Sequence, residues 1–174
     1  MNSESPQNGP GWISDAVQRY GGQLVRYAAR LLGDEERARD VTQDTFVKLC
    51  GQDQSELAGK LAAWLFKVCR NRALDVQKKE KRMTTLTEQT ADGCASREPT
   101  PEAVASSAES SGQIERLIEQ LPYDQQEVLR LKIQNGLSYR EISDVMGLSR
   151  SNVGCLLHTA IKRVREQVAA CERK

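Results

Sequence analysis

The stretch SYREISDVMGLSRSNVGCLLHTAIKR, from Ser138 to Arg163, leaves the chain few ways to fold. Ser138 can cap a helix through its hydroxyl, and Glu141 three residues on completes a capping box. Ile142, Val145 and Met146 recur at helical spacing. Gly147 then supplies the positive φ that ends a helix cleanly. Leu148 fills the corner, and Ser149 caps a second helix with apolar positions Val153, Leu156, Leu157, Ile161 and Val164. A short helix, a glycine turn and a longer helix, apolar on both sides of the turn, predict a helix-turn-helix. The other face of the second helix is left for the major groove: Arg150, Ser151, Asn152, Gly154, Cys155, His158 and Thr159, with Lys162 one turn beyond. That face is poor in charge for a DNA reader.

The rest of the 174-residue chain is expected to be all-α. Aromatics make up only 5%, glycine and proline sit at helix ends, and no strand-like alternation is sustained. No apolar run approaches the ~20 residues of a membrane span. The polar start MNSESPQNGPG lacks a signal-peptide core, so a cytoplasmic location is expected. Five cysteines, Cys50, Cys69, Cys94, Cys155 and Cys171, form no CxxC pair, which argues for reduced thiols rather than a disulfide framework or zinc knuckle. With His158 as the single histidine and no glycine-rich phosphate loop, neither a metal site, nor a cofactor, nor enzymatic activity is expected.

Charge is unevenly spread. Residues 1–82 hold 14 basic and 11 acidic side chains, 83–112 hold 1 and 5, and 113–174 hold 10 and 8. The acidic middle, rich in Thr, Ser, Ala, Glu and Pro, reads as a linker. The expected organisation is a polar tail over 1–11, a helical domain over 12–82, a linker over 83–112 and a second helical domain over 113–174.

In the first domain, Trp12 to Leu32 is expected as one helix with Val17, Tyr20, Leu24, Tyr27, Ala28 and Leu31 on its inner face. Gly33 stops it, and Asp34 caps a second helix carrying Ala38, Val41, Thr45, Phe46 and Leu49, with Glu35 and Glu36 at the positive end of its dipole. A loop around Gly51–Gly59 precedes a third helix from about Leu61 to Arg82. Its first half is apolar, with Leu61, Trp64, Leu65 and Val68; its second, KVCRNRALDVQKKEKR, carries seven basic residues against two acidic. A basic helix end of this kind suits a phosphate backbone, although a solvated charged end would look the same.

Three segments together resemble one family. DEERARDVTQDTFVKL is similar to region 2.2 of bacterial sigma factors, LAAWLFKVCRNRALDVQKKEKR to regions 2.3 and 2.4, and LPYDQQEVLRLKIQNGLSYREISDVMGLSRSNVGCLLHTAIKRVRE to region 4. No segment corresponds to region 1.1 or region 3, a layout that resembles the extracytoplasmic-function (ECF) group of the sigma-70 family. The resemblance implies a sigma-2-like bundle and a sigma-4-like helix-turn-helix. It implies binding to core RNA polymerase at the β′ clamp helices and β flap, recognition of −10 and −35 promoter DNA, and an anti-sigma factor as a further possible partner. Asp40, Gln43, Asp44 and Phe46 fall at the polymerase-docking positions. Asn71, seven residues after Trp64, matches an Asn that reads an extruded −10 base, with the loop Ser55–Lys60 completing the pocket. Arg70, Arg72, Asp75, Lys78 and Lys79 make up the rest of the −10 face. Relatives carry basic residues where this chain has Gly154, Leu156 and Thr159, so its −35 sequence is expected to differ from theirs.

Three rivals stand beside this reading. A helix-turn-helix regulator would bind an operator without polymerase, but would need a dimer interface or sensor domain. An adaptor would bind polymerase without reading DNA. An enzyme would need a constellation of chemical groups that the sequence does not offer.

Overall fold

The computed structural model describes residues 11–87 and 109–171. These residues form seven α-helices and contain no strand. Two compact units divide near residue 90. The linker expectation for 88–108 lies outside the described residues, as do the polar tail up to residue 10 and Cys94.

The first unit holds α1 (Gly11–Leu32), α2 (Glu35–Cys50) and α3 (Leu61–Thr87). Gly33 adopts φ 67°, the left-handed turn expected of it. The Asp34 carboxylate accepts the Arg37 amide at 3.1 Å, capping α2 as expected. The shared core is built from Leu24, Tyr27, Ala28, Leu31 and Leu32 of α1, Ala38, Val41 and Leu49 of α2, and Leu65, Phe66, Cys69 and Ala73 of α3. Phe66 meets Tyr27 edge to face, with centroids 5.3 Å apart and planes at 77°. Thr42 and Thr45 are buried in α2 and return their hydroxyl protons to the Ala38 and Val41 carbonyls at 2.8 Å each, so neither leaves a polar group unmet.

The inner face of α1 is turned slightly from the expected one. Ala16 is buried, Val17 is exposed and Tyr20 is only partly covered. Both Ala16 and Val17 fit a helical repeat, and the small Ala is the residue that α1 turns inward. On α3, Leu61, Trp64 and Val68 are half-buried, while Phe66 and Cys69, absent from the expected stripe, are fully buried. This helix also runs to Thr87, five residues past its expected end, because nothing in MTTLT breaks a helix.

The second unit holds α4 (Glu109–Glu119), α5 (Tyr123–Ile133), the greater part of α6 (Tyr139–Met146) and α7 (Arg150–Cys171), with Asp144–Met146 grouped with the first unit. Helix α4 starts four residues before the expected domain boundary. Buried residues include Leu117, Ile118, Leu121, Val128, Leu129, Leu131, Leu137, Ile142, Val145, Val153, Leu157 and Ala160. Arg130, almost wholly covered, holds α5 to α4 by pairing with Glu115 at 3.2 Å and also donates to the Gln126 amide oxygen at 2.8 Å. Arg163 of α7 donates to the Gln125 side chain of α5 at 3.2 Å.

Candidate nucleic-acid interface

The turn between α6 and α7 forms as its residues dictate. The Ser138 hydroxyl accepts the Glu141 amide at 3.3 Å, and the Glu141 carboxylate accepts the Ser138 amide at 2.8 Å. Gly147 sits at φ 69° with nothing near the position a Cβ would take, so only its backbone conformation demands glycine. The Ser149 hydroxyl accepts the Asn152 amide at 3.2 Å and starts α7.

Along α7, Arg150, Ser151, Asn152, Cys155, His158 and Lys162 are exposed, while Gly154 and Thr159 are half-covered. Ser151, Cys155, His158 and Lys162 follow helical spacing and share one stripe. Lys162 lies 4.0 Å from Glu166, a solvent-exposed pair of little energetic weight. Val153 and Leu157 are buried behind this face, and Leu156, Ile161 and Val164 are half-covered. Tyr139 is a member of this surface that sequence reading missed. A Cβ on Gly154 would meet its ring at 3.9 Å, and the Lys132 ammonium lies 5.5 Å from the ring centroid. A Cβ at 154 would make only ordinary contact with the ring, so Tyr139 packs beside Gly154 without requiring glycine. A tyrosine opening a short amphipathic helix was the available signal.

On α3, Asn71, Asp75, Lys78 and Arg82 recur at four-, three- and four-residue steps, with Arg72 and Lys79 beside them, and all are exposed. Arg70 projects off this stripe and is half-buried. Five of the six expected −10 residues therefore share one exposed face. The loop that leads into α3 is pinned by Leu57, which is buried, and by Asp53. The Asp53 carboxylate accepts the Ser55 hydroxyl at 2.7 Å and the Ser55 amide at 2.8 Å. Those two bonds, the hydroxyl's first, hold its carboxyl below the usual range. Gln54, Leu57, Ala58 and Gly59 of this loop line a cleft of about 290 Å³ with Trp12, Asp15, Arg19 and Tyr20 of α1. Asn71 is not part of its lining.

On α2, Asp40 and Gln43 are exposed and Asp44 is half-exposed on the same face. Phe46 is half-buried, with a ring carbon 4.0 Å from the point a Cβ on Gly21 would occupy, so it leans on α1 rather than standing out with the others. Val47, missed in the sequence reading, completes that face at 64% exposure. The 40–43–44–47 spacing could have flagged it.

The exposed face of α2 and the basic face of α3 meet at the Asp44–Arg72 pair. Arg72 of α3 donates from Nε to Asp44 Oδ2 of α2 at 2.8 Å, with the two side chains 44% and 47% exposed. Arg37 of α2 likewise pairs with Glu80 of α3. Each such exposed pair contributes about 0–1 kcal/mol to stability. Among the described residues no group of His, Cys, Asp and Glu could hold a metal ion. No helix among them is long and apolar enough to cross a membrane.

Comparison with known proteins gives this arrangement its context. Residues 16–83 match sigma-70 region 2 and residues 111–164 match sigma-70 region 4. The ECF RNA polymerase sigma factor SigE of Mycolicibacterium smegmatis is 26% identical over 92% of this chain; the chain spans 62% of that relative's length. SigM of Bacillus subtilis, another ECF sigma factor, is 26% identical over 88% of this chain and 93% of its own. Among solved structures, the sigma factor RpoE of Bartonella quintana, in complex with the anti-sigma factor NepR, has the same fold with a TM-score of 0.65. It is 21% identical, covering 90% of this chain and 96% of RpoE. CnrH, in complex with the cytosolic domain of CnrY, has a TM-score of 0.58 at 23% identity over 91% of this chain and 88% of CnrH.

Proposed function

The chain belongs to the ECF group of the sigma-70 family, and on that premise we propose that it binds core RNA polymerase through α2, presents α3 to the −10 element and α7 to the −35 element. It is a promoter-recognising sigma factor. Region 2 and region 4 following one another on one chain is the observation that carries the reading. Asp40, Gln43, Asp44, Phe46 and Val47 form the polymerase face. Asn71 reads an unstacked −10 base, since its amide can both donate to and accept from a base edge. Arg70, Arg72, Lys78 and Lys79 meet phosphate, and Asp75 lies among them. Arg150, Ser151, Asn152 and His158 face −35 bases, with Gly154, Cys155 and Thr159 admitting the groove wall closely and Lys162 at its phosphates. The division into 12–82 and 113–174 as working domains is part of the same proposal. So are a cytoplasmic location, the absence of catalysis by the chain itself and control by an anti-sigma factor, which the Bartonella quintana structural relative, bound to one, suggests.

The sparse charge on α7 fits this function. Phosphate contacts dominate the affinity of a free-standing DNA binder. A reader held in a larger complex with a second DNA contact gains effective concentration instead and can dispense with many of them.

Core polymerase and this chain should co-elute as one complex, and only the complex should make promoter thymines near the start site reactive to permanganate. Asp40→Arg is the cleaner test of the docking face, since Asp44→Arg would also set two cations side by side at Arg72. Asp40→Arg should weaken co-elution at least tenfold in apparent affinity. Undiminished co-elution would move the docking surface elsewhere.

A further inference from the structure

The ion pair between Asp44 and Arg72 joins a residue of the polymerase face to a residue of the −10 face, and its geometry is one-sided. Arg72 uses Nε alone, and a single Asp44 oxygen accepts it, at 2.8 Å. An arginine carries five N–H donors in a rigid planar fork. With Nε engaged, the guanidinium is biased toward one orientation and its two terminal nitrogens remain for another acceptor. The side chain is 44% exposed, on the stripe that holds Asn71, Asp75, Lys78 and Lys79.

We propose that Asp44 is a positioning residue for Arg72: it locks the guanidinium so that its terminal nitrogens present a ready-made fork to a phosphate of the −10 strand. This rests on the assignment of α3 to the −10 element and adds a role for Asp44 that is separate from polymerase docking. A free arginine must lose rotamer freedom to make a bidentate phosphate contact, and Asp44 removes much of that loss beforehand. A carboxylate near DNA also repels phosphate at longer range. The two effects oppose each other and differ in one respect: the repulsion does not need Arg72, and the positioning does.

A double-mutant cycle separates them. Holoenzyme is assembled with core polymerase added to saturation. Its affinity is measured for a single-stranded oligonucleotide carrying the non-template −10 segment of a mapped start site. The proteins are wild type, Asp44→Asn, Arg72→Ala, the double variant and Arg72→Lys. Relative to its effect in the Arg72→Ala background, Asp44→Asn should weaken binding at least threefold more when Arg72 is present. That excess should persist at raised salt, where long-range repulsion is screened. Arg72→Lys keeps the charge but lacks the fork, and should bind no better than about twofold above Arg72→Ala. Effects that simply multiply, equal tightening by Asp44→Asn in both backgrounds, or full affinity with Arg72→Lys would each overturn the proposal. If Asp44→Asn fails to assemble, Asp44→Ala takes its place in the same cycle. Failure of the wild-type holoenzyme to bind the oligonucleotide would instead remove the −10 assignment beneath it.

Discussion

Cys69 and Cys155 show how one residue type takes two characters in this chain. Cys69 is wholly covered, with its sulfur 4.0 Å from the Leu24 carbonyl oxygen, while Cys50 and Cys155 are exposed. Burial pushes the Cys69 thiol up to about 12, partly offset by a hydrogen bond with Thr45. A thiol is charged only when deprotonated, so the raised value means that the folded state resists ionisation there. Its contribution to stability is complete below the unfolded value near 9 and is lost as pH rises from there toward 12. In native protein at neutral pH, iodoacetamide should therefore modify Cys50 and Cys155 quickly and Cys69 only after unfolding, as peptide mass mapping would show. Equal rates at Cys69 and Cys50 would contradict the packing of α3 against α1. Arg150 is the other residue with a sharp expectation. Its truncation to Ala should cost about 1–3 kcal/mol at a −35 guanine and relax preference at that one position, if it is bidentate to the base. A uniform loss across promoter variants, with a shallower salt slope, would assign it to phosphate instead.

Helices were legible to different depths. Caps and stops are local chemistry, so Asp34, the Ser138–Glu141 box, Gly33 and Gly147 all act as their sequence context indicated. Which face a helix buries is a tertiary matter. Ala16 and Val17 both satisfy the repeat of α1, and only packing against α2 and α3 selects Ala16. The Asp44–Arg72 pair joins residues 28 positions apart and depends on how α2 crosses α3, which no spacing rule records. Val47 was placed on neither face of α2 from sequence, and its outward direction is set by how α2 packs. The local signals can be tested directly. Ser138→Ala removes the acceptor of the capping box and should cost about 1 kcal/mol. Gly147→Ala meets no atom but must hold φ 69°, and should cost about 1–2 kcal/mol through backbone strain. Each should lower the thermal midpoint of the isolated second unit by several degrees if that unit folds alone, and otherwise that of the full chain. A Gly147→Ala protein as stable as wild type would mean that the turn can relax into another conformation.

At the scale of the whole chain, the composition of residues 83–112 marked a boundary, and the described helices narrow it. Helix α3 continues to Thr87 and α4 begins at Glu109, so any cleavable segment is shorter than composition alone indicated. Limited trypsin digestion offers Arg97 as a site within it. Two resistant fragments, ending and beginning on either side of Arg97, are expected, and a single resistant fragment spanning it would contradict the proposed division into two working domains. The −35 sequence is the part of the site least open to reading, because Gly154 and Cys155 have no side chain capable of a bidentate base contact. The most direct measurement is run-off transcription of fragmented genomic DNA by core polymerase with and without this chain, followed by mapping of the start sites. The account predicts starts that depend on the chain and share two spaced upstream motifs, with the −10 motif used less when Asn71 is replaced by Ala and the −35 preference altered when Arg150 is. Transcription unchanged by the chain, or starts with no shared upstream sequence, would contradict it.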